Sequence, residues 1–275
     1  MLAAFDAEVR RSAQSDGSGA RIEAEPLLVR SVGANGRGWS GIAWSRLGDA
    51  DADAVIAEQV AYFAARDETF EWKLYDYDRP ADLDRRLVAA GFAAEGEESL
   101  MVTEVSSVPA QVDLPPGLQL LPVTDEAGVG LLTDVHERVF GTDSSRLRRS
   151  LLAQLRDRPE AVAMVVAMAG DQPVCSARIE FLSGSSFASL WGGGTLASWR
   201  GRGIYRALIA YRARLAAARG YRYLFVDASP DSQPILARLG FSRLARTTPY
   251  IWDPARRPEP GHRDRSSHGE MVHGA

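Results

Sequence analysis

The chain has 275 residues, enough for one large domain or two of ordinary size. Its hydrophobic content of 45% and charged content of 25% are those of a globular protein. The formal net charge of −4 argues against nucleic acid as the main partner. No stretch approaches the roughly 18 apolar residues of a membrane-spanning helix, and charges come too early for a secretory signal. We therefore expect a cytoplasmic protein.

Two residue types are almost absent. Cys175 is the single cysteine, which excludes an intramolecular disulfide, and its apolar surroundings predict a buried side chain rather than a nucleophile. Lys73 is the only lysine among 32 basic residues. A general preference for arginine explains that ratio and by itself carries no functional information.

The first part of the chain alternates predicted helices and strands. The pattern of apolar residues predicts helices over 2–14, 54–66 and 81–90, and strands over 27–32, 39–44, 70–75 and 99–105. The segment 33–38 has the glycines of a hairpin turn.

Asp49, Asp51 and Asp53 have the spacing of the first ligands in a calcium-binding loop. The sixth position of such a loop should be Gly and the twelfth Glu, and here they are Ala54 and Val60. We therefore interpret the aspartates as capping and first-turn acids of the following helix.

The second part begins after the proline-rich segment 108–117, which we interpret as a linker. Predicted strands cover 118–123, 161–169, 173–182, 186–195, 223–226 and 241–252, and predicted helices lie before 140, over 144–158, after 204 and after 232. Residues from 253 on have a disordered composition. The spacing of His262, His268 and His273 in that tail matches no metal signature.

The order helix, strand, helix, Gly-Phe, strand occurs twice, with Gly91-Phe92 in the first copy and Gly240-Phe241 in the second. We interpret this as an internal repeat of two similar units. The first copy begins its helix with three aspartates and lacks a turn that the second copy has.

That turn is Arg200-Gly201-Arg202-Gly203, followed by Arg206 one turn into a predicted helix. Two glycines allow a ligand to approach the backbone closely. The helix N-terminus and the arginines supply positive charge, so the turn predicts a site for a phosphate or pyrophosphate.

Two common phosphate motifs fit poorly. The chain has no G-x-x-x-x-G-K-[ST] run. The dinucleotide fingerprint G-x-G-x-x-G is nearly matched, and Asp227 ends the next strand, but Arg206 stands where the third glycine should be. A dinucleotide-binding protein is therefore a distant alternative.

The turn matches R-x-x-G-x-G/A better, the pyrophosphate loop of the GCN5-related N-acetyltransferases (GNAT). The preceding Thr195–Trp199 and the later Leu239-Gly240-Phe241 also resemble this family, over roughly residues 118–252. Tyr205 departs from the family, which has Gly or Ala there. The resemblance implies an α/β (α+β) fold with two tandem GNAT-like lobes, each with a mixed, mostly antiparallel sheet, a β-α-β core and flanking helices.

The corresponding domain prediction is a degenerate lobe over 1–107, the linker 108–117, a catalytic domain over 118–252 and a disordered tail over 253–275. The first lobe is expected not to bind coenzyme A, because it lacks the arginine–glycine turn and its three aspartates would repel a pyrophosphate.

The resemblance implies direct acetyl transfer from acetyl-CoA, without a metal, to a primary amine of a small molecule or peptide. In GNAT proteins the strand before the loop splays from its neighbour and binds pantetheine, a use that Gly192-Gly193-Gly194 would suit. Ser229 falls where the family often has a pantetheine-binding Asn. The implied acetyl-CoA-binding residues are Gly194, Thr195, Leu196, Arg200, Gly201, Arg202, Gly203, Ile204, Tyr205, Arg206, Ser229 and Ser232.

For catalysis the resemblance implies that a backbone N–H near Thr195 polarises the thioester carbonyl. Glu180 and Asp227 are the candidates for the group that takes the amine proton. A structural alternative exists for each: an ion pair with arginine for Glu180, and capping of the next turn for Asp227. The family often protonates the thiolate with a Tyr at the position of Leu236, so here Tyr205 is a candidate, beside water.

An alternative function remains: a non-catalytic module that binds coenzyme A or another protein, as the missing tyrosine would permit. The expected partners are acetyl-CoA and the amine, with no nucleic acid or membrane, and the protein is expected to be a monomer or homodimer.

Overall fold

A computed structural model describes residues 1–15, 19–33, 38–109 and 113–256. Three predicted features lie outside these ranges: most of the hairpin turn over 33–38, the centre of the predicted linker and the three histidines of the tail. None of the helices within them has both the length and the apolarity needed to cross a membrane.

The N-terminal half begins with a short helix that continues into a π-helical turn over Asp6–Arg11, so the helix predicted over 2–14 is shorter than expected. Its elements are α1 (Leu2–Phe5), β1 (Arg21–Ala24), β2 (Leu28–Val32), β3 (Gly41–Ser45), α2 (Ala52–Ala64), β4 (Phe70–Tyr75), α3 (Leu83–Ala89), β5 (Ala93–Ala94) and β6 (Glu98–Glu104).

The C-terminal half follows the predicted order closely. Its elements are β7 (Leu118–Val123), α4 (Glu126–Phe140), α5 (Ser145–Asp157), β8 (Val162–Ala169), β9 (Gln172–Phe181), β10 (Phe187–Thr195), α6 (Ile204–Ala218), β11 (Tyr223–Ala228), α7 (Gln233–Arg238) and β12 (Ser242–Trp252). Of the tail predicted to be disordered from residue 253, Pro254–Arg256 forms a 3₁₀ turn, and the rest lies outside the described ranges.

The twelve strands of the described residues form one sheet, in the order β1-β2-β3-β4-β12-β6-β11-β10-β9-β8-β7, and the short β5 pairs with β12. The last strand of each half is exchanged. β12 lies between β4 and β6 of the N-terminal half, while β6 pairs antiparallel with β11 of the C-terminal half. The two similar units therefore share a continuous sheet, which the repeat alone does not predict.

Each half has one parallel pair of strands joined by a helix: β3 with β4 through α2, and β10 with β11 through α6. Each parallel pairing is short. β3 and β4 pair only over Gly41–Ile42 and Glu71–Trp72, and β10 and β11 only over Phe187–Ser189 and Tyr223–Phe225. Beyond these residues the neighbouring strands separate.

The helices divide between the two faces of the sheet. The apolar residues of α2, α3, α6 and α7 pack on one face, and those of α1, α4 and α5 pack on the other. Three apolar clusters contain residues of both halves. In one of them Phe5, Tyr75, Leu100 and Val102 pack with Phe187, Tyr223, Phe225 and Ala245.

Substitution of Leu100 tests whether the two halves unfold together, because this residue is fully buried on β6 in the cluster around Phe5. We expect Leu100→Ala to lower the free energy of unfolding by about 2–5 kcal/mol. Urea denaturation should still show one transition, coincident by tryptophan fluorescence and far-UV circular dichroism.

Leu121→Ala is the matched control, because Leu121 is 42% exposed, and its effect should stay within about 0.5 kcal/mol. Unfolding of the Leu100→Ala variant in two separate steps would contradict the shared core.

Candidate functional site

The predicted phosphate turn lies at the N-terminus of α6. Gly201 and Gly203 have φ angles of +76° and +82°, a left-handed conformation that side chains disfavour and glycine adopts freely. The N–H of Ala207 makes the first bond of the helix ladder, to the carbonyl of Gly203. The N–H groups before it therefore have no partner within the helix and are available to an anion.

The three arginines of the turn are exposed, and two of them donate hydrogen bonds to backbone carbonyls. Arg200 Nε donates to the Thr195 carbonyl at 3.2 Å, and Arg202 Nη2 donates to the Ser198 carbonyl at 3.3 Å. Arg206 folds back over Gly203, where a Cβ would lie 3.1 Å from Arg206 Nη2. Within the described residues none of the three has an ion-pair partner, so their positive charges are not neutralised.

The gap between β10 and β11 opens next to this turn. β10 continues to Thr195 after its pairing with β11 has ended at Ser189 and Phe225. The N–H of Leu196 donates to the Val174 carbonyl at 2.9 Å, on the β9 side. Because successive residues of a strand alternate in direction, the N–H and C=O of Thr195 point to the gap. The bond from Arg200 to the Thr195 carbonyl agrees with this.

The glycines of β10 allow two helices to approach the strand backbone. A Cβ at Gly193 would lie 2.7 Å from Tyr205 Cε2 of α6, and one at Gly194 would lie 2.9 Å from Val139 Cγ1 of α4. The register with β9 shifts between Trp191 and Gly194. These residues form a bulged strand rather than an interrupting loop.

Tyr205 lies between α6 and this bulge, and burial raises its pKa. Nearby, Arg212 is 1% exposed and donates through Nη1 to the Arg178 carbonyl, beside the register shift. Burial lowers the pKa of Arg212 to about 10. Tyr205 therefore contacts the strand at its bulge, next to a buried cation.

Cys175 is fully buried, as predicted, and its Sγ is 3.1 Å from Thr195 Oγ1. Burial raises the pKa of the thiol to about 11. A protonated, inaccessible thiol is a poor nucleophile.

The two predicted serines lie beyond β11, at the start of α7. Their hydroxyl groups are 3.2 Å apart, and the carbonyl of Ser229 accepts bonds from the N–H groups of Ser232 and Gln233. Ser229 thus organises the N-terminus of α7, and neither serine contacts the arginine–glycine turn in the described hydrogen bonds.

The two candidate proton acceptors lie on the same face of the sheet and both have cationic partners. Glu180 accepts from Arg178 Nε at 3.0 Å. Asp227 pairs with Lys73 of the N-terminal half at 2.7 Å, rather than capping the next turn. Asp227 lies on β11 two residues beyond its last pairing with β10, whereas Glu180 is opposite Ser189, one strand away from the gap. Asp227 is therefore the carboxylate nearer the gap.

Sequence reasoning missed His136 on α4. Its Nδ1 lies 2.9 Å from Ser144 Oγ, and its ring packs 4.6 Å from that of Phe140, which also approaches Gly194. Burial and the nearby charge of Arg178 lower its pKa. No motif marks a single histidine on a helix, so only the fold could reveal its position beside β10.

No group of three or more possible metal ligands occurs among the described residues. As predicted, Asp51 is the N-cap residue of α2 and Asp53 is an acid of its first turn. The Asp51 side chain accepts from the Gly48 N–H rather than from the helix, and Asp49 and Asp53 pair with Arg86.

The lowered pKa of His136 predicts a pH dependence of stability. The unfolded chain binds a proton at about pH 6.5 more readily than the folded protein does. The free energy of unfolding should therefore fall as pH decreases through that range, and His136→Gln should remove this part of the decrease.

Urea denaturation of the wild type and the variant at about pH 8 and pH 5.5 measures the difference. An equal loss of stability in both proteins would show that His136 titrates normally in the folded state.

No protein-family model matches the sequence, and no curated protein has a significantly similar one. Solved structures do match. A GCN5-related N-acetyltransferase from Kribbella flavida superposes with a TM-score of 0.68 at 19% identity, covering 89% of this chain and 93% of its own. One from Sphaerobacter thermophilus has a TM-score of 0.60 at 15% identity, covering 93% and 90%.

A tandem GNAT protein from the clavulanic acid biosynthesis pathway matches with a TM-score of 0.59 at 12% identity, covering 82% of this chain and 78% of its own. At such identities the likeness concerns the fold. Together with the two β-α-β units and the gap beside the arginine–glycine turn, it shows that this chain has the fold of the GCN5-related N-acetyltransferases, with two GNAT-like lobes in tandem.

Proposed function

We propose that the protein is an N-acetyltransferase that transfers the acetyl group of acetyl-CoA to a primary amine of a small molecule or peptide. The observation that carries this proposal is the contact between the turn and the gap. Arg200 belongs to the turn and hydrogen-bonds the last residue of β10, Thr195. The predicted anion site and the unpaired edge of β10 are therefore adjacent. Acetyl-CoA requires this, because its diphosphate and its pantetheine follow one another along a single long molecule.

In this proposal the pyrophosphate binds the N–H groups of Gly201–Ile204, with Tyr205 alongside, and the charges of Arg200, Arg202 and Arg206 stabilise it. Pantetheine follows Gly194–Leu196 into the gap, and Ser229 and Ser232 flank its far side. When bound, acetyl-CoA supplies an activated acetyl group as a thioester.

The chain's own groups then act on the transfer. The Thr195 N–H donates to the thioester oxygen, where negative charge develops. Asp227 or Glu180 takes the proton that the ammonium must lose before its nitrogen attacks the carbonyl carbon. The C–S bond breaks as the C–N bond forms, and the nitrogen gives up its second proton to water. The thiolate receives a proton from water or from Tyr205, which water then reprotonates.

The N-terminal lobe is proposed to be degenerate, because its own gap is filled. Arg10, which is 3% exposed, donates to the Ala43 carbonyl on β3 at 3.1 Å. Its guanidinium also donates twice to Asp78, just after β4, at 2.8 Å. The side chain thus bridges the two strands where they separate, at the place that pantetheine would need.

The start of α2 also disfavours a pyrophosphate. Asp49, Asp51 and Asp53 bring three negative charges, and Arg86 is the cation paired with two of them. An open cavity of about 660 Å³ beside this helix start includes Asp82 and Asp84 in its lining. Like charge would repel a diphosphate here.

The first test is binding of acetyl-CoA to Arg200→Gln by isothermal titration calorimetry. Loss of one charge-assisted contact should weaken binding by about tenfold or more, and the difference should shrink at high salt. Arg243→Gln, an exposed residue of β12, makes the same charge change away from the turn.

Equal affinity for acetyl-CoA in the wild type, Arg200→Gln and Arg243→Gln would contradict a role of the arginine–glycine turn in binding the cofactor. Release of free thiol from acetyl-CoA on addition of amines then separates a transferase from a module that only binds the cofactor.

The second test is stoichiometry. Because Arg10 fills the gap of the N-terminal lobe, the same titration should saturate at one acetyl-CoA per chain. Two equivalents with similar affinity would mean that the N-terminal lobe also binds the cofactor.

A further inference from the structure

The only lysine of the chain occupies a central position. Lys73 lies on β4 in the N-terminal half, and its Nζ is 2.7 Å from Asp227 Oδ2 on β11 in the C-terminal half. β12 and β6 lie between these two strands. The side chain therefore reaches across two strands to the carboxylate nearest the gap.

Lys73 belongs to a partly buried group of charges on one face of the sheet, which we call the inter-lobe cluster: Glu71, Lys73, Glu98 and Asp227. Lys73 Nζ is also 3.5 Å from Glu98 Oε2, and the Lys73 and Asp227 side chains are 18% and 11% exposed. Glu71 accepts from Trp39 Nε1 at 2.7 Å. One cation thus faces three carboxylates.

Burial and the excess of carboxylates over cations determine the pKa values in the inter-lobe cluster. Burial is the main cause that raises the pKa of Glu71 and of Glu98, and Asp227 adds to it in both. Burial opposes the charge of Lys73, but Asp227, Tyr75 and the two glutamates together raise its pKa. Lys73 therefore stays charged throughout the range in which enzymes work.

Asp227 has one oxygen engaged and one free. Oδ2 pairs with Lys73, whereas Oδ1 is buried and has no hydrogen-bond partner among the described residues. The ion pair with Lys73 thus fixes one oxygen of the Asp227 carboxylate and leaves the other without a partner.

We propose that Lys73 is a positioning residue of the N-terminal lobe that holds the Asp227 carboxylate in place, so that Asp227 takes the proton of the acceptor amine through an intervening water. This rests on the proposed acetyl transfer. It gives the N-terminal lobe a part in the reaction although its own gap is filled. We expect arginine to substitute for Lys73 only in part, because a planar guanidinium differs in shape from the compact ammonium of lysine on its flexible side chain.

The test compares two amines of similar shape, ethylamine and 2,2,2-trifluoroethylamine, as acetyl acceptors. Ethylamine is protonated at neutral pH and must lose a proton before it attacks, whereas trifluoroethylamine is largely unprotonated and needs no base before the attack. We expect Lys73→Met to lower kcat for ethylamine about tenfold or more, with trifluoroethylamine changed only about twofold.

Rescue by the conservative variant and the split between kcat and KM separate positioning from a structural effect. Lys73→Arg should restore part of kcat, while KM for acetyl-CoA stays near that of the wild type. Arg246→Met, which removes an exposed cation from β12, is the matched control and should leave both amines unchanged.

An NMR measurement needs no acceptor amine and uses the fact that the chain has one lysine. With ¹⁵N-labelled lysine, the side-chain ammonium should give a single NMR signal, which should shift in Asp227→Asn. An unchanged signal, or equal losses with both amines in a folded Lys73→Met variant, would overturn the proposal. Failure of the wild type to bind acetyl-CoA or to acetylate either amine would instead count against the proposed function itself.

Discussion

The antiparallel pairing of β6 with β12 is the interaction on which the rest of the structure depends. It exchanges the last strands of the two lobes and joins their sheets into one. Because β6 then lies beside β11, residues of the N-terminal lobe come next to the gap of the C-terminal lobe. The ion pair between Lys73 and Asp227 and the apolar cluster around Leu100 exist only because of this arrangement.

The two lobes show how one backbone plan serves different purposes. In both, a parallel pair of strands separates after two or three residues. In the C-terminal lobe glycines let α4 and α6 approach the strand closely, and exposed arginines place positive charge beside the separation. In the N-terminal lobe Arg10 closes it with hydrogen bonds to both sides. The difference lies in a few side chains, while the path of the chain is the same.

Local features of the fold could be predicted from the sequence. The strand Leu118–Val123 and the helix starting at Ile204 have the expected bounds, because apolar periodicity and turn residues act over a few positions. The repeat of helix, strand, helix and strand is also present. The arginine–glycine turn lies where the spacing predicts it, at the N-terminus of α6.

Long-range relations could not be predicted in this way. Strand exchange leaves the hydrophobic pattern of β6 and β12 unchanged, because both remain paired on two sides. Arg10 and His136 reach their sites from helices distant in sequence, and nothing in their neighbours marks them. Lys73 was visible as the only lysine, but its partner is 154 positions away and belongs to the other lobe.

The exchanged strands also determine what a break in the backbone would do. A chain cut between residues 109 and 113 would yield two fragments, each holding the strand that completes the sheet of the other. Each fragment by itself would leave the backbone N–H and C=O groups of an edge strand unpaired. The two fragments would therefore associate as an obligate heterodimer. The chain between β6 and β7 thus raises the effective concentration of two mutually dependent partners rather than tethering two autonomous modules.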